Sequence, residues 1–197
     1  MGKRSIAFFI IFVTVSAGLA GDNQQTALCV SAGGGVVLSR EDPFQLKAQA
    51  DFGGGIGVEF PAGRLLAVGL GLGGHQTLPS SLAGGWAYRG FGGFDLRALL
   101  ILKGLPPLAL GSLHAEPNLA AGPVVRYDRY QYTRLYFFYL GLVAAPGLEI
   151  PLPRRRHHAL TVSLPLRLYF RRDIDLSAAC GLELGWKFYP GLRSGAR

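Results

Sequence analysis

The 197-residue chain carries 20 Lys+Arg against 12 Asp+Glu, a formal net charge of +8, and 49% of its residues are hydrophobic. Its 29 glycines speak against long helices. Its basic residues are scattered along the chain, which speaks against a nucleic-acid surface. The length fits one domain.

The first twenty residues read as a cleavable secretory signal peptide: Lys3 and Arg4 open it, Ile6 to Val15 form a short apolar run, and the small pair Gly18 and Ala20 suits cleavage before Gly21. The run is too short to span roughly 30 Å of hydrocarbon as a helix. Cys29 lies well past it and follows Leu28, which argues against a lipidated start. The remaining domain, 21–197, keeps 18 Lys+Arg against 12 Asp+Glu, so its formal charge is about +6 and its first partners in a cell envelope are anionic lipids.

Beyond the leader the hydrophobicity has a period of two. Ala27 to Ser39 is a glycine-rich candidate strand. In Leu46 to Phe60 the even positions Leu46, Ala48, Ala50, Phe52, Ile56, Val58 and Phe60 are apolar, while Lys47, Gln49, Asp51 and Glu59 alternate with bare glycines on the odd ones. Successive strand side chains point to opposite faces, so this is a strand with one oily side. Pro61-Ala62-Gly63-Arg64 reads as a tight turn, Leu65 to Gly74 as a second glycine-rich strand, and Gln76 to Gly85 as the longest polar loop. Phe94 to Lys103 sets Phe94, Leu96, Ala98, Leu100 and Leu102 against Asp95, Arg97 and Lys103.

Gly104 to Gly111, with Pro106 and Pro107, reads as a Pro-rich connection. His114 to Tyr127 alternates His114, Glu116, Asn118 and Arg126 with apolar neighbours, and Asp128 to Thr133 is a short polar loop. Tyr136 to Ile150 is apolar on both faces for part of its length. The longest apolar stretch, Leu135 to Ala145, is stopped by Pro146 and is too short for a membrane helix. After the Pro-rich connection Pro151 to His158, Leu160 to Phe170 and Ile174 to Phe188 repeat the alternation, joined by Arg171 to Asp173. Cys29 and Cys180 fall on opposite faces, so no disulfide is expected between them.

Eight such segments exceed an ordinary strand of roughly five or six residues. They suit a tilted membrane strand of about 9–11 residues. The expectation is an all-β, eight-stranded antiparallel up-and-down transmembrane barrel, apolar outside and polar inside. Aromatics cluster at the strand ends: Trp86, Tyr88, Tyr127, Tyr130, Tyr132, Tyr136 and Phe170 at one rim, Phe60, Trp186 and Phe188 at the other. Such girdles belong at membrane interfaces. With the N-terminus left in the periplasm, the outer loops are short.

Asp51, Asp95, Arg97, Arg167 and Glu183 fall at mid-strand on the inner faces and are expected at similar depth. They form either a salt-bridge plug, since an eight-stranded interior is just wide enough to be filled by side chains, or the lining of a narrow path. The inner faces of the first three strands are bare (Gly33, Gly35, Gly53, Gly55, Gly57, Gly69, Gly71 and Gly73), while Phe137, Tyr139 and Tyr169 face inward from the far side. Large packed against small explains this, and so does an open slot. Arg154, Arg155, Arg156, His157 and His158 make a basic run that reads as a solvated turn or a contact for lipid phosphate. The four histidines have no metal-binding spacing, and no cofactor is expected.

The leader, the eight alternating segments and the terminal Leu182-x-Leu184-x-Trp186-x-Phe188 resemble the small eight-stranded bacterial outer-membrane barrels, the OmpA/OmpX/OmpW class. The terminal pattern is similar to the aromatic signal read by barrel assembly machinery, although here Tyr189 to Arg197 follow the aromatic residue. The resemblance implies a monomer in the outer membrane of a diderm bacterium, in contact with membrane lipid. Its OmpW branch implies a slot for a small apolar solute. A narrow passive pore or structural envelope protein is the leading function. A soluble periplasmic lipocalin-like lipid carrier is the alternative, and it requires apolar residues inside and charged residues outside. An outer-membrane lipid-modifying enzyme, with His75 near Ser80 and Ser81, ranks last because no motif supports it.

Overall fold

The computed structural model describes residues 26–42, 45–78, 91–111, 113–130, 136–153, 157–170 and 176–190. The expected signal peptide, 1–20, lies outside them, as do Trp86, Tyr88, Tyr132, Ser80, Ser81 and Arg154 to Arg156. The described residues form ten strands: β1 (Ala27–Asp42), β2 (Gln45–Pro61), β3 (Leu66–Thr77), β4 (Phe91–Leu102), β5 (Leu108–Leu110), β6 (Leu113–Tyr130), β7 (Tyr136–Pro151), β8 (His158–Ser163), β9 (Leu166–Phe170) and β10 (Leu176–Phe188). Each long strand pairs antiparallel with its sequence neighbour, and β10 pairs with β1 from Leu28↔Phe188 to Leu38↔Ala178. The sheet therefore closes on itself.

Ten strands make eight lanes. β8 and β9 occupy one lane, both lying between β7 and β10 in a single continuous register. The sequence reads Leu160 to Phe170 as one strand. The structure interrupts it at Leu164 and Pro165, because proline has no N–H to give to the ladder. Leu164 N still donates to Pro146 O at 2.9 Å, and Gly181 N donates to Pro165 O at 3.2 Å, so the wall stays sealed.

The second departure is β5. The connection Gly104 to Gly111 contains a short strand that pairs only with the start of β6 (Leu108↔Ala115, Leu110↔Leu113). This ribbon turns at Gly111, whose φ of +65° is a left-handed conformation that glycine adopts without strain. Strand ends also run further than the sequence suggests. Gln76 and Thr77, and Asp128 to Tyr130, read as loop, are all paired.

The alternation decides inside from outside. Ile56 (63% exposed), Leu140 (68%) and Phe138 (70%) point out, whereas the odd residues of β2, β4 and β10 point into the lumen. Two apolar clusters sit inside the barrel: Val37, Val124, Val143, Tyr169 and Ala179, and separately Ala67, Ile101 and Ala120. Among the described residues no helix is long and apolar enough to cross a membrane. Cys29 faces the lumen, where its thiol lies 3.8 Å from Glu59 Oε1, while Cys180 is exposed on the outer face, and both are free.

Candidate functional site

The inward charges gather into three layers stacked along the barrel. The end holding the start of β1 and the finish of β10 is called here the terminal end. There Lys187 Nζ lies 2.5 Å from Glu59 Oε1 and 2.8 Å from Glu149 Oε2, and Lys103 Nζ lies 2.9 Å from Glu59 Oε2. Tyr189, just beyond the end of β10, donates its hydroxyl to Glu149. Burial and that facing carboxylate push the Tyr189 phenol up from its ordinary value. Three strands and the residue that follows β4 thus contribute to one network of opposite charges, and burying charge is tolerable only when it is paired in this way.

The middle layer is built from β4, β9 and β10. Arg97 Nε lies 2.6 Å from Asp95 Oδ1, its Nη1 lies 3.1 Å from Glu183 Oε1, and Arg167 reaches the same Glu183 carboxylate. A guanidinium presents its donors as a fixed fork, which lets Arg97 hold two carboxylates at once. At the far end His75 Nε2 lies 2.6 Å from Asp128 Oδ1, and Arg126 Nε donates to the same oxygen at 2.9 Å. Arg126 also approaches Asp51 Oδ2 at 3.7 Å, and Thr77 donates to Asp51 Oδ1 at 3.0 Å.

The structure therefore brings together Asp95, Arg97, Arg167 and Glu183, and it places Asp51 elsewhere, in the far-end layer. The strands are staggered around the barrel, so equal distance from a strand's middle is not equal depth. Sequence reasoning left out Arg126, Asp128, Glu59, Glu149, Lys103 and Lys187 as site residues and gave His75 only to the enzyme reading, not to the charge network. Arg126, Glu59, Glu149 and Lys187 share the inward parity of their strands, and that parity was the available signal; Asp128 was hidden because it reads as loop.

The interior aromatics also differ in their role. Tyr169 is 1% exposed and packs among Val37, Val124 and Val143, with Tyr139 edge-on at 6.4 Å between ring centroids. Arg126 stands over the Tyr169 ring at 5.1 Å, and Phe137 lies against Tyr139 at 6.3 Å. These rings pack on one another and on aliphatic side chains. The bare glycines are closely met by their neighbours: a Cβ on Gly73 would come within 2.9 Å of Asp95 Oδ1, and one on Gly33 within 2.3 Å of the backbone oxygen of Leu182. A Cβ on Gly71 would meet only Ile56 O, at 3.6 Å, whereas on Gly55 and Gly57 it would come within 2.8 and 2.9 Å of the backbone oxygens of Leu72 and Leu70. A cavity of about 160 Å³, lined in part by these glycines, separates the middle layer from the terminal-end layer. Only about 30 Å³ remains between the middle and far-end layers.

Two aromatic belts lie on the outer face. At the far end Tyr127 stacks on Phe94 (4.9 Å) and meets Phe138 (5.0 Å), with Phe170 exposed on β9 opposite Leu140. At the terminal end Trp186 and Phe188 flank His158 at 5.2 and 5.1 Å, Trp186 Nε1 donates to His158 Nδ1 at 2.9 Å, and Phe60 closes β2. Phe94 and Phe138 join the far belt without having been assigned to it. Their outward parity already marked them.

No protein-family model and no curated protein matches the sequence. Among solved structures the chain is similar to Neisserial surface protein A (TM-score 0.59, 13% identity, covering 83% of this chain and 98% of that one). It is also similar to the outer membrane protein OprG from Pseudomonas aeruginosa (TM-score 0.50, 12% identity, covering 86% of this chain and 98% of that one). With a closed sheet of eight lanes, oily outside and charged within, the chain has the fold of the small eight-stranded bacterial outer-membrane barrels.

Proposed function

We propose that this protein is a monomeric, non-enzymatic barrel resident in the outer membrane of a diderm bacterium, where it serves as a structural envelope protein with its lumen held shut. A cleavable leader exports it, barrel assembly machinery inserts it, and membrane lipid covers its outer face. The observation that carries the reading is the stack of three ion-pair layers. Each layer crosses the lumen between strands on different sides, as Arg97–Glu183 does from β4 to β10. A passing ion would have to separate buried charges that hold one another, and low local dielectric makes that separation expensive. The passive-pore role is thereby reduced to a rare event that follows re-pairing of the layers. The inverse polarity, charges inside and leucines outside, is the opposite of what a soluble lipid carrier needs.

Planar-bilayer recording tests the reading. Purified wild-type protein is expected to give no steady current. The double variant Glu183→Ala with Lys187→Ala, which removes the shared partner from two layers, is expected to give frequent openings. A steady wild-type conductance overturns the occluded reading in favour of an open pore. A lipase or acyltransferase assay on the same preparation is expected to read blank, and turnover there would replace the proposal with the enzyme.

A further inference from the structure

The cavity between the middle and terminal-end layers is larger than packing in so narrow a barrel requires. Its 160 Å³ is close to the roughly 150 Å³ of an apolar cavity known to take up benzene. Its wall is divided. β4 and β7 supply Leu99, Ile101, Val143 and Ala145, while β1 and β8 supply the hydroxyls of Ser31, Thr161 and Ser163. The charges above and below are already engaged: Arg97 with Asp95 and Glu183, and Lys187 with Glu59 and Glu149. A charged guest would have to break one of those pairs, so the chemistry that fits is neutral.

We propose that this cavity is a binding site for one small neutral amphipathic molecule of the phenol class, an apolar ring or short chain carrying a single hydroxyl. The apolar body lies against Leu99, Ile101 and Val143, and its hydroxyl exchanges hydrogen bonds with Ser31, Thr161 or Ser163. Ligand pockets of this kind are mostly apolar, with a few placed polar groups that fix orientation. Entry crosses one ion-pair layer and is slow. The site rests on the occluded-lumen reading for its roof and floor.

The test is a methyl NMR titration of the folded barrel in detergent micelles, with phenol and benzene as probes. Phenol is expected to shift the inward methyls of Leu99, Ile101 and Val143 saturably, and benzene to do so more weakly. Outward methyls of Leu140, Leu166 and Leu184, which are exposed and lie outside the cavity lining, report partition into the micelle instead. Gly71→Leu fills the space, because a Cβ there meets only Ile56 O, at 3.6 Å. It is expected to weaken the phenol response at least about tenfold. Ala145→Leu fills the opposite wall and is expected to do the same, so a folding failure of one variant leaves the other to decide. Shifts confined to outward methyls, a lumen occupied by water only, or inward shifts undiminished in the filled variants overturn the proposal. The titration reads occupancy and bilayer current reads passage. A barrel that conducts yet binds is therefore distinguishable from one that is shut and empty.

Discussion

At the residue scale, glycine has two opposite uses in this barrel. Gly35 sits on the seam where β1 meets β10, and a Cβ there would lie 2.1 Å from the carbonyl oxygen of Cys180 and 2.6 Å from Gly181 Cα. Those are backbone atoms, which cannot swing aside. Gly71 faces open lumen. Gly35→Ala is therefore expected to destabilise the barrel by about 1–3 kcal/mol, the usual range for overpacking. Gly71→Ala is expected to stay within about 0.5 kcal/mol of wild type. Urea unfolding in lipid vesicles measures both, and equal effects would contradict the assignment. Residue identity and parity alone gave the inward set of charges, including Asp95, Arg97, Arg167 and Glu183. They did not give the partners. Asp51 and Asp95 look equivalent along their own strands, yet one pairs with Arg126 and the other with Arg97, because the stagger between strands is set by the closed sheet and is invisible in any one segment.

At the element scale, the outward face of each long strand is a continuous apolar surface between two belts. Ile56 lies on β2 halfway between Phe52 and Phe60, at 63% exposure. Ile56→Arg puts a charge at mid-depth of the lipid-facing side, and its expected penalty is about 2–4 kcal/mol in bilayers. In a barrel whose outer face met water, the same change would be nearly neutral. The vesicle unfolding midpoint therefore separates the two environments. The eight lanes were legible as elements because alternation over ten or more residues is hard to produce by chance. The split of β8 from β9 was legible in part, since a proline inside a run signals an interrupted ladder. β5 was not legible: Leu108-Ala109-Leu110 is too short to show a period, and it becomes a strand only because β6 extends far enough to receive it.

At the scale of the whole molecule, closure makes the barrel one cooperative unit. Membrane-extracted protein is expected to migrate faster on gels before boiling than after, because the closed sheet resists detergent until heated. Coincident migration, with recovery among soluble envelope proteins, would sink the membrane reading. The overall architecture was the most legible feature of the sequence, since oily and polar faces repeat in every lane. The layered interior was the least, since it emerges only once eight lanes are wrapped around one axis.

The seam between β1 and β10 also sets an order in time. Hairpin neighbours such as β2 and β3 can meet as soon as both have been synthesised, but Leu28 has to wait for Phe188, almost the entire chain later. Until then both outermost strands present rows of unsatisfied backbone groups, which in water invite pairing with a stranger. Loop closure over so great a separation is slow. The nascent chain consequently has a vulnerable interval whose length is fixed by its final strand, and any truncation that removes that strand leaves the interval without an end.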